Sequence, residues 1–233
     1  DANEFRQRMG LGAGPIVDLE SLLELDIGAR VYVRRMNGQI SGLFAFDKAL
    51  GPCILLNANH PKERRKQSAA HETGHLVSTR NQPEVFHDQT PENSREERYA
   101  NTFGRALLAP SRTVMQKFHE VTGGANRLTR RHVIVLAYYF GISREAMVRR
   151  LEELSLTKPG TWDWFCANGG ITDDQARQVL GDLLQPDNQK IEANRPTTLR
   201  LNLLAAEAYR QELLSEGQLA QLLHVDRVEL REI

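Results

Sequence analysis

Residues 69–77 read AAHETGHLV, with two histidines four apart and a glutamate directly after the first. On an α-helix, four residues advance by about 40° around the axis and roughly one turn along it. His71 and His75 therefore project from one face, while Glu72 is rotated by about 100° from His71. Ala69, Ala70, Leu76 and Val77 frame this triplet with apolar side chains. Such a helix buries its frame and turns its polar triplet toward a cleft.

Two imidazole nitrogens in this arrangement can bind one Zn2+ at about 2.0–2.1 Å. Glu72 then stands beside the metal, where it can take a proton from an activated water and deliver it to a leaving amine. The plain alternative is a set of ordinary polar residues on a surface helix; the pattern arises by chance in roughly one chain of this size in a hundred. Two histidines leave a catalytic zinc one protein ligand short, and in the two-histidine, one-glutamate arrangement the third comes from a later helix. Glu96 and Glu97 lie downstream on the next predicted helix. Both are candidates, set against the usual fate of adjacent glutamates as a solvated charge pair. The strand CILLN before the motif offers an edge that could align an extended peptide.

The chain around this motif has room for one large domain or two small ones, at 233 residues. Its 30 Lys and Arg balance 30 Asp and Glu, so no global charge draws it to nucleic acid or membrane. Cys53 and Cys166 stand far apart, which argues against a disulfide framework or a cysteine zinc site and fits a reducing, cytoplasmic compartment. The longest apolar run, VIVLAYYF at 133–140, is too short to span a bilayer. DANEFRQRMG at the start is no secretory signal, and its missing initiator methionine suggests a piece of a longer chain.

Pattern and turn signals divide the chain at Pro61. Before it, short helices are expected at 4–12 and 15–28, then strands at 29–36, 41–47 and 53–58 forming a small antiparallel sheet. After it, the character is helical. Pro61 suits a first helical turn, 81–93 reads as a loop, and Ser94 is a plausible cap for a helix ending at Pro110. Residues 128–154 read as two helices around Gly141, and 158–160 as a linker. Further helices follow, with QPDNQ between them. The expectation is an α+β, zincin-like domain over 1–155 and a mainly helical C-terminal module over 161–233.

At this point the chain resembles the ImmA/IrrE zinc metallopeptidases. Their pattern runs strand, asparagine, basic stretch, AHE-x-GH, loop, E-x-x-A-N-x-F-A and LL-x-P. Here it stands as ILLNANHPKERRKQSAAHETGH and ERYANTFGRALLAP, with similar flanks over nearly two thirds of the chain. Gly104 departs from the usual alanine, a change that reads as harmless. The resemblance implies that His71, His75 and Glu97 bind zinc and that Glu72 is the general base. It favours Glu97 over Glu96 because Glu97 stands four before Asn101. It further implies a helix-turn-helix transcriptional repressor as substrate, whose cleavage releases stress, mobile-element or phage-defence genes. Many relatives carry their own helix-turn-helix domain ahead of such a segment.

Several residues are weaker candidates. His87 is a candidate fourth metal ligand or oxyanion donor, against simple exposure in a loop. Tyr99 could support a tetrahedral intermediate, against a packing role. His119 and His132 are weaker still, and Cys53 could cap a metal only if it faced the site. Arg127, Arg130, Arg131, Arg144, Arg149 and Arg150 make 127–150 locally basic, and FGIS at 140–143 resembles the turn of a helix-turn-helix. DNA or an acidic protein face could contact it; the alternative is a helical bundle with a solvated basic face. DNA could also reach the protein through an N-terminal domain ahead of this segment. LSEGQLAQLLHVDRVELREI has similar rhythm but mixed charge, and reads as an interaction or packing module. The rival to a peptidase is a non-catalytic DNA- or protein-binding regulator with a structural zinc. No membrane partner is expected, and the oligomeric state stays open.

Overall fold

The computed structural model describes residues 1–78, 94–124, 127–183 and 197–230. The predicted loop at 81–93, with His87, and the QPDNQ segment lie outside the described residues.

The chain starts with helix α1 (Ala2–Arg8) and helix α2 (Leu19–Leu25). The second is shorter than the apolar spacing of 15–28 suggests. Asp18 takes an extended conformation and its carboxylate accepts the Ser21 N–H at 3.0 Å, so the helix starts there. Strands β1 (Arg30–Arg34), β2 (Gly42–Asp47) and β3 (Gly51–Asn57) follow. The β2–β3 turn is tied by Asp47, whose Oδ1 accepts from the Ala49 and Leu50 N–H groups at 2.8 Å.

The sheet corrects the antiparallel expectation. Its order is β1-β3-β2, with the β2–β3 hairpin antiparallel and β1 parallel to β3. After β1, residues 35–41 carry the chain past the place that β3 will fill, and the hairpin then returns into the gap. Ile54 and Leu56 on β3 are fully buried, which favours the central position for that strand. Asn57 at its end is also fully buried. Its side-chain amide donates to the carbonyls of Asn37 and Ile40 at 2.9 and 2.7 Å, and its oxygen accepts the Met36 N–H at 3.3 Å. One polar side chain thus holds the crossing loop and satisfies its buried backbone groups.

Helix α3 (Lys62–Ser78) lies against β2 and β3 and pairs most extensively with helix α4 (Arg95–Leu108). Pro61 precedes it and accepts the Arg65 N–H at 2.9 Å. As the sequence suggests, the Ser94 hydroxyl caps α4 by accepting from Glu97 N at 3.1 Å. Helices α5 (Ser111–Thr122), α6 (Arg130–Phe140) and α7 (Arg144–Glu153) complete a core that includes Leu23, Phe44, Leu107, Phe140 and Met147. Gly141 ends α6 in the left-handed conformation, φ +61°, where glycine carries no Cβ penalty.

Helix α8 (Thr161–Ala167) has no counterpart in the expected pattern, because seven residues give the periodicity little length to register. With α9 (Asp173–Leu180) it packs on α6 and α7 through a second core of Val133, Ile134, Val148, Phe165 and Ile171. Helices α10 (Leu199–Arg210), α11 (Glu216–Leu223) and α12 (Arg227–Leu230) share a small third core around Leu219 and Leu223. The buried Glu24 of α2 accepts the Arg200 N–H at 2.8 Å and so satisfies one of the amides left open at the start of α10. The fold is α+β and mainly helical. Among the described residues, no helix is long and apolar enough to cross a membrane.

Candidate metal centre

The α3–α4 crossing is set by two glycines facing two alanines. A Cβ on Gly74 would lie 2.7 Å from the Cα of Ala100, and one on Gly104 would lie 3.1 Å from the Ala70 carbonyl carbon and the His71 nitrogen. Neither position has room for a methyl group without moving backbone. Gly74 therefore does not break α3, and Gly104 is not a neutral departure from alanine: both let the two backbones approach.

That approach carries Glu97 to the histidines. Its Oε2 lies 3.2 Å from His71 Nε2, its Oε1 lies 3.2 Å from His75 Nε2, and the two imidazole nitrogens are 3.0 Å apart. Glu96, one residue earlier, is exposed. Of the two carboxylates left open by spacing, only Glu97 belongs to the cluster, the only one of its kind among the described residues. A tetrahedral ion with ligands at about 2.0–2.1 Å needs donor atoms roughly 3.3 Å apart. The three side chains hold theirs close to that spacing, with one carboxylate and two imidazoles as a borderline donor set. They fit a divalent metal.

Asn101, one turn after Glu97, is a site residue whose role sequence reasoning missed. Its Oδ1 lies 3.1 Å from His71 Nδ1, so it can accept the Nδ1 proton and leave Nε2 as the metal-facing lone pair. Its signal was its spacing, since positions 97 and 101 share a helix face.

Glu72 stands outside the three-donor cluster, close to Gly42 of β2, and is 6% exposed. The strand makes way for it: a Cβ on Gly42 would sit 2.8 Å from Glu72 Oε1. Burial pushes the Glu72 carboxyl up to about 7; the neighbouring His71 charge opposes this and Glu97 adds to it. Burial, together with the His71 charge, holds His75 down at about 4, with Glu97 and Glu96 pulling the other way. His71 also loses by burial, but hydrogen bonding to Glu97, the Glu72 and Glu97 charges and Asn101 leave it raised. Thus His75 is the neutral imidazole, while the site favours positive charge at His71, where a cation would sit between the donors.

His71, Glu72 and Glu97 open on a cleft of about 840 Å³ between β2, α3, α4 and the start of α7. Its strand wall also corrects an expectation. CILLN forms the centre of the sheet and both its edges are paired, whereas the outer edge beside the cleft belongs to β2.

The remaining candidates lie elsewhere. Tyr99 turns away from the metal donors: its hydroxyl donates to Asp1 at 2.9 Å and its ring stacks on Phe103, so it serves packing rather than an oxyanion. Cys53 alternates with the buried Ile54 and Leu56, and so projects from the opposite face of the sheet. His119 is exposed on α5, and His132 Nδ1 accepts from Thr129 N at the start of α6. Four of the six arginines are engaged within the fold. Arg130 donates to Gly170 O and Asn168 O, and Arg144 pairs with Asp173. Arg149 pairs with Asp163, while the buried Arg150 donates to Ala109 O and pairs with Glu153. Arg127 and Arg131 are exposed.

Comparison with curated proteins gives no match. A family model does match: the peptidase M78 model, described as an IrrE N-terminal-like domain, covers residues 25–152. That span holds β1 to all but the last residue of α7, with the cluster, Glu72, Asn101 and both glycines inside it. With more than half its length matched and a metal-ligand cluster at the centre of the match, the chain belongs to the M78, IrrE N-terminal-like family of metal-dependent peptidases.

Proposed function

We propose that the protein is a zinc-dependent endopeptidase that cleaves a helix-turn-helix transcriptional repressor. The observation that carries the chemistry is the convergence of His71, His75 and Glu97 beside a buried Glu72. In this reading His71 Nε2, His75 Nε2 and the Glu97 carboxylate hold the ion. The two-histidine, one-carboxylate set favours zinc. When bound, zinc supplies Lewis acidity that activates water and steadies negative charge on the attacked carbonyl.

The protein's own groups do the rest. Glu72, with a carboxyl near 7, is suited to take a proton from the attacking water and to return it to the leaving nitrogen. Asn101 keeps His71 in the tautomer that presents Nε2. The outer edge of β2 has backbone groups with which an extended substrate can pair, running it past Glu72 at Gly42. A scissile segment must therefore leave its fold, or start outside one, to lie along that edge. The repressor as substrate rests on the resemblance noted above and on membership of the family.

The test is incubation with the helix-turn-helix repressor encoded nearby, with and without a chelator, read by mass spectrometry. The expected outcome is one metal-dependent cut that Glu72→Gln abolishes while elemental analysis still finds zinc. Full proteolysis by that variant would sink the role of Glu72. A zinc-free protein that leaves the repressor uncut, and whose regulatory effect survives His71→Ala, would favour the non-catalytic regulator instead.

A further inference from the structure

On another side of the molecule lies a hollow of about 640 Å³ that shares no lining residue with the metal-site cleft. Its size falls within the range of small-ligand sites. It sits on a seam: one part of its wall comes from residues 118–124 and 127–128, inside the family-matched span, and the other from residues 155–165, beyond it. Leu128 joins the first and second hydrophobic cores at this seam, and Phe165 lies in the second.

The lining has a one-sided charge. Arg127, Lys158 and His119 are exposed and contribute to the wall, and among the described residues no aspartate or glutamate does. The nearest acids in sequence are committed elsewhere: Glu120 pairs with Lys117, Glu153 with Arg105 and Arg150, Asp163 with Arg149, and Glu152 Oε1 accepts the Trp162 N–H at 2.9 Å. On the same wall as Arg127 and Lys158, Trp164 stands 53% exposed, braced edge-on by the buried Phe165 at 5.4 Å between ring centroids. The exposed indole leaves apolar surface in water, and together with the two cations on the same wall it suits one kind of molecule. The cations match a phosphate, and the indole face matches a planar ring.

We propose that this hollow is a second binding site, taking a small aromatic phosphate of the size of a nucleoside monophosphate. The phosphate meets Arg127 and Lys158, and the ring stacks on Trp164. Because the walls come from both sides of the seam, the bound ligand ties α8 to the end of α5 and the start of α6. The site stands independently of the peptidase reading.

Adenosine monophosphate, adenosine and inorganic phosphate serve as probes, titrated calorimetrically and by tryptophan fluorescence into the purified full chain. Adenosine monophosphate is expected to bind saturably at submillimolar concentration and to change the emission. Adenosine and phosphate alone should each bind about ten-fold more weakly or worse. Arg127→Ala with Lys158→Ala, and separately Trp164→Leu, should each weaken adenosine monophosphate by about ten-fold. All three positions are exposed, and unchanged circular dichroism and metal content serve as controls for folding. Absence of saturable binding up to about 10 mM, roughly the weakest affinity a formed pocket would give, overturns the proposal. So does equal binding by the double variant. Arg127-dependent binding of duplex DNA that adenosine monophosphate fails to displace overturns it too, in favour of a polynucleotide contact.

Discussion

The α3–α4 crossing and the α10–α12 helices use glycine and apolar surface in opposite ways. At the crossing, Gly74 and Gly104 face backbone, and the burial they permit includes titratable groups: Glu72 is 6% and His75 2% exposed. In the C-terminal helices, Gly217 faces only the far end of the Arg227 side chain, and Leu203, Leu204 and Leu213 are more than half exposed. The first region trades stability for the placement of three clustered donor groups and a buried carboxyl. The second keeps a thin core and leaves most of its apolar surface outward. Function in this fold lives where backbone contact is closest, because only there can side chains from two helices be held within a few tenths of an ångström.

Alanine at the two kinds of glycine separates the regions most sharply. Gly74→Ala should cost about 3 kcal/mol, because the added methyl meets the Ala100 backbone and α4 must retreat. Gly217→Ala, in helix α11 against a movable guanidinium, should be neutral or stabilising by up to about 1 kcal/mol. Urea melts of both variants check this; equal effects would break the comparison.

The buried carboxyl offers a pH test on the metal-free protein. Glu72 has its folded pKa raised from the usual 4.5 to about 7, so the folded state holds a proton that the unfolded chain gives up. Stability is therefore lost as pH rises from about 4.5 to about 7, and the penalty is complete above that. Glu72→Gln should stabilise the metal-free protein by on the order of 3 kcal/mol at pH 8 and very little at pH 4. Thermal melts in chelator at the two pH values read the difference. A gain independent of pH would mean that the carboxyl is not held in a dry environment.

Smaller effects sharpen the same contrast. Asn101→Ala should lower metal affinity by about ten- to a hundred-fold with little change in fold, measured by competition with a chromogenic chelator. Gly104→Ala should cost about 1 kcal/mol and weaken metal binding as His71 shifts. Leu204→Gln, on exposed surface of α10, should change stability by less than about 0.5 kcal/mol.

Much of the site was legible locally. The i, i+4 histidines, their apolar frame, the Ser94 cap and the Gly141 break depend on residues within a turn or two of each other, and each stands where its spacing points. The choice of Glu97 over Glu96 came from resemblance, because two adjacent glutamates differ only in which side of α4 meets α3. Tyr99 fell on the wrong side for the same reason: two residues on from Glu97, it is turned about 200° around the axis. The arginines of 127–150 read as a basic stretch, yet four of them serve as staples to carbonyls and carboxylates up to 41 residues away.

The sequence by itself determined the histidine-bearing face of α3, the helical character after Pro61 and the three strands, since side-chain periodicity records which face of an element is buried. Tertiary structure alone decided that β1 runs parallel to β3, that β2 has the edge beside the cleft, and that glycines at 74 and 104 set how closely Glu97 and Asn101 come to the histidines. Those outcomes depend on distances between backbones far apart in the chain, and no local periodicity encodes a distance.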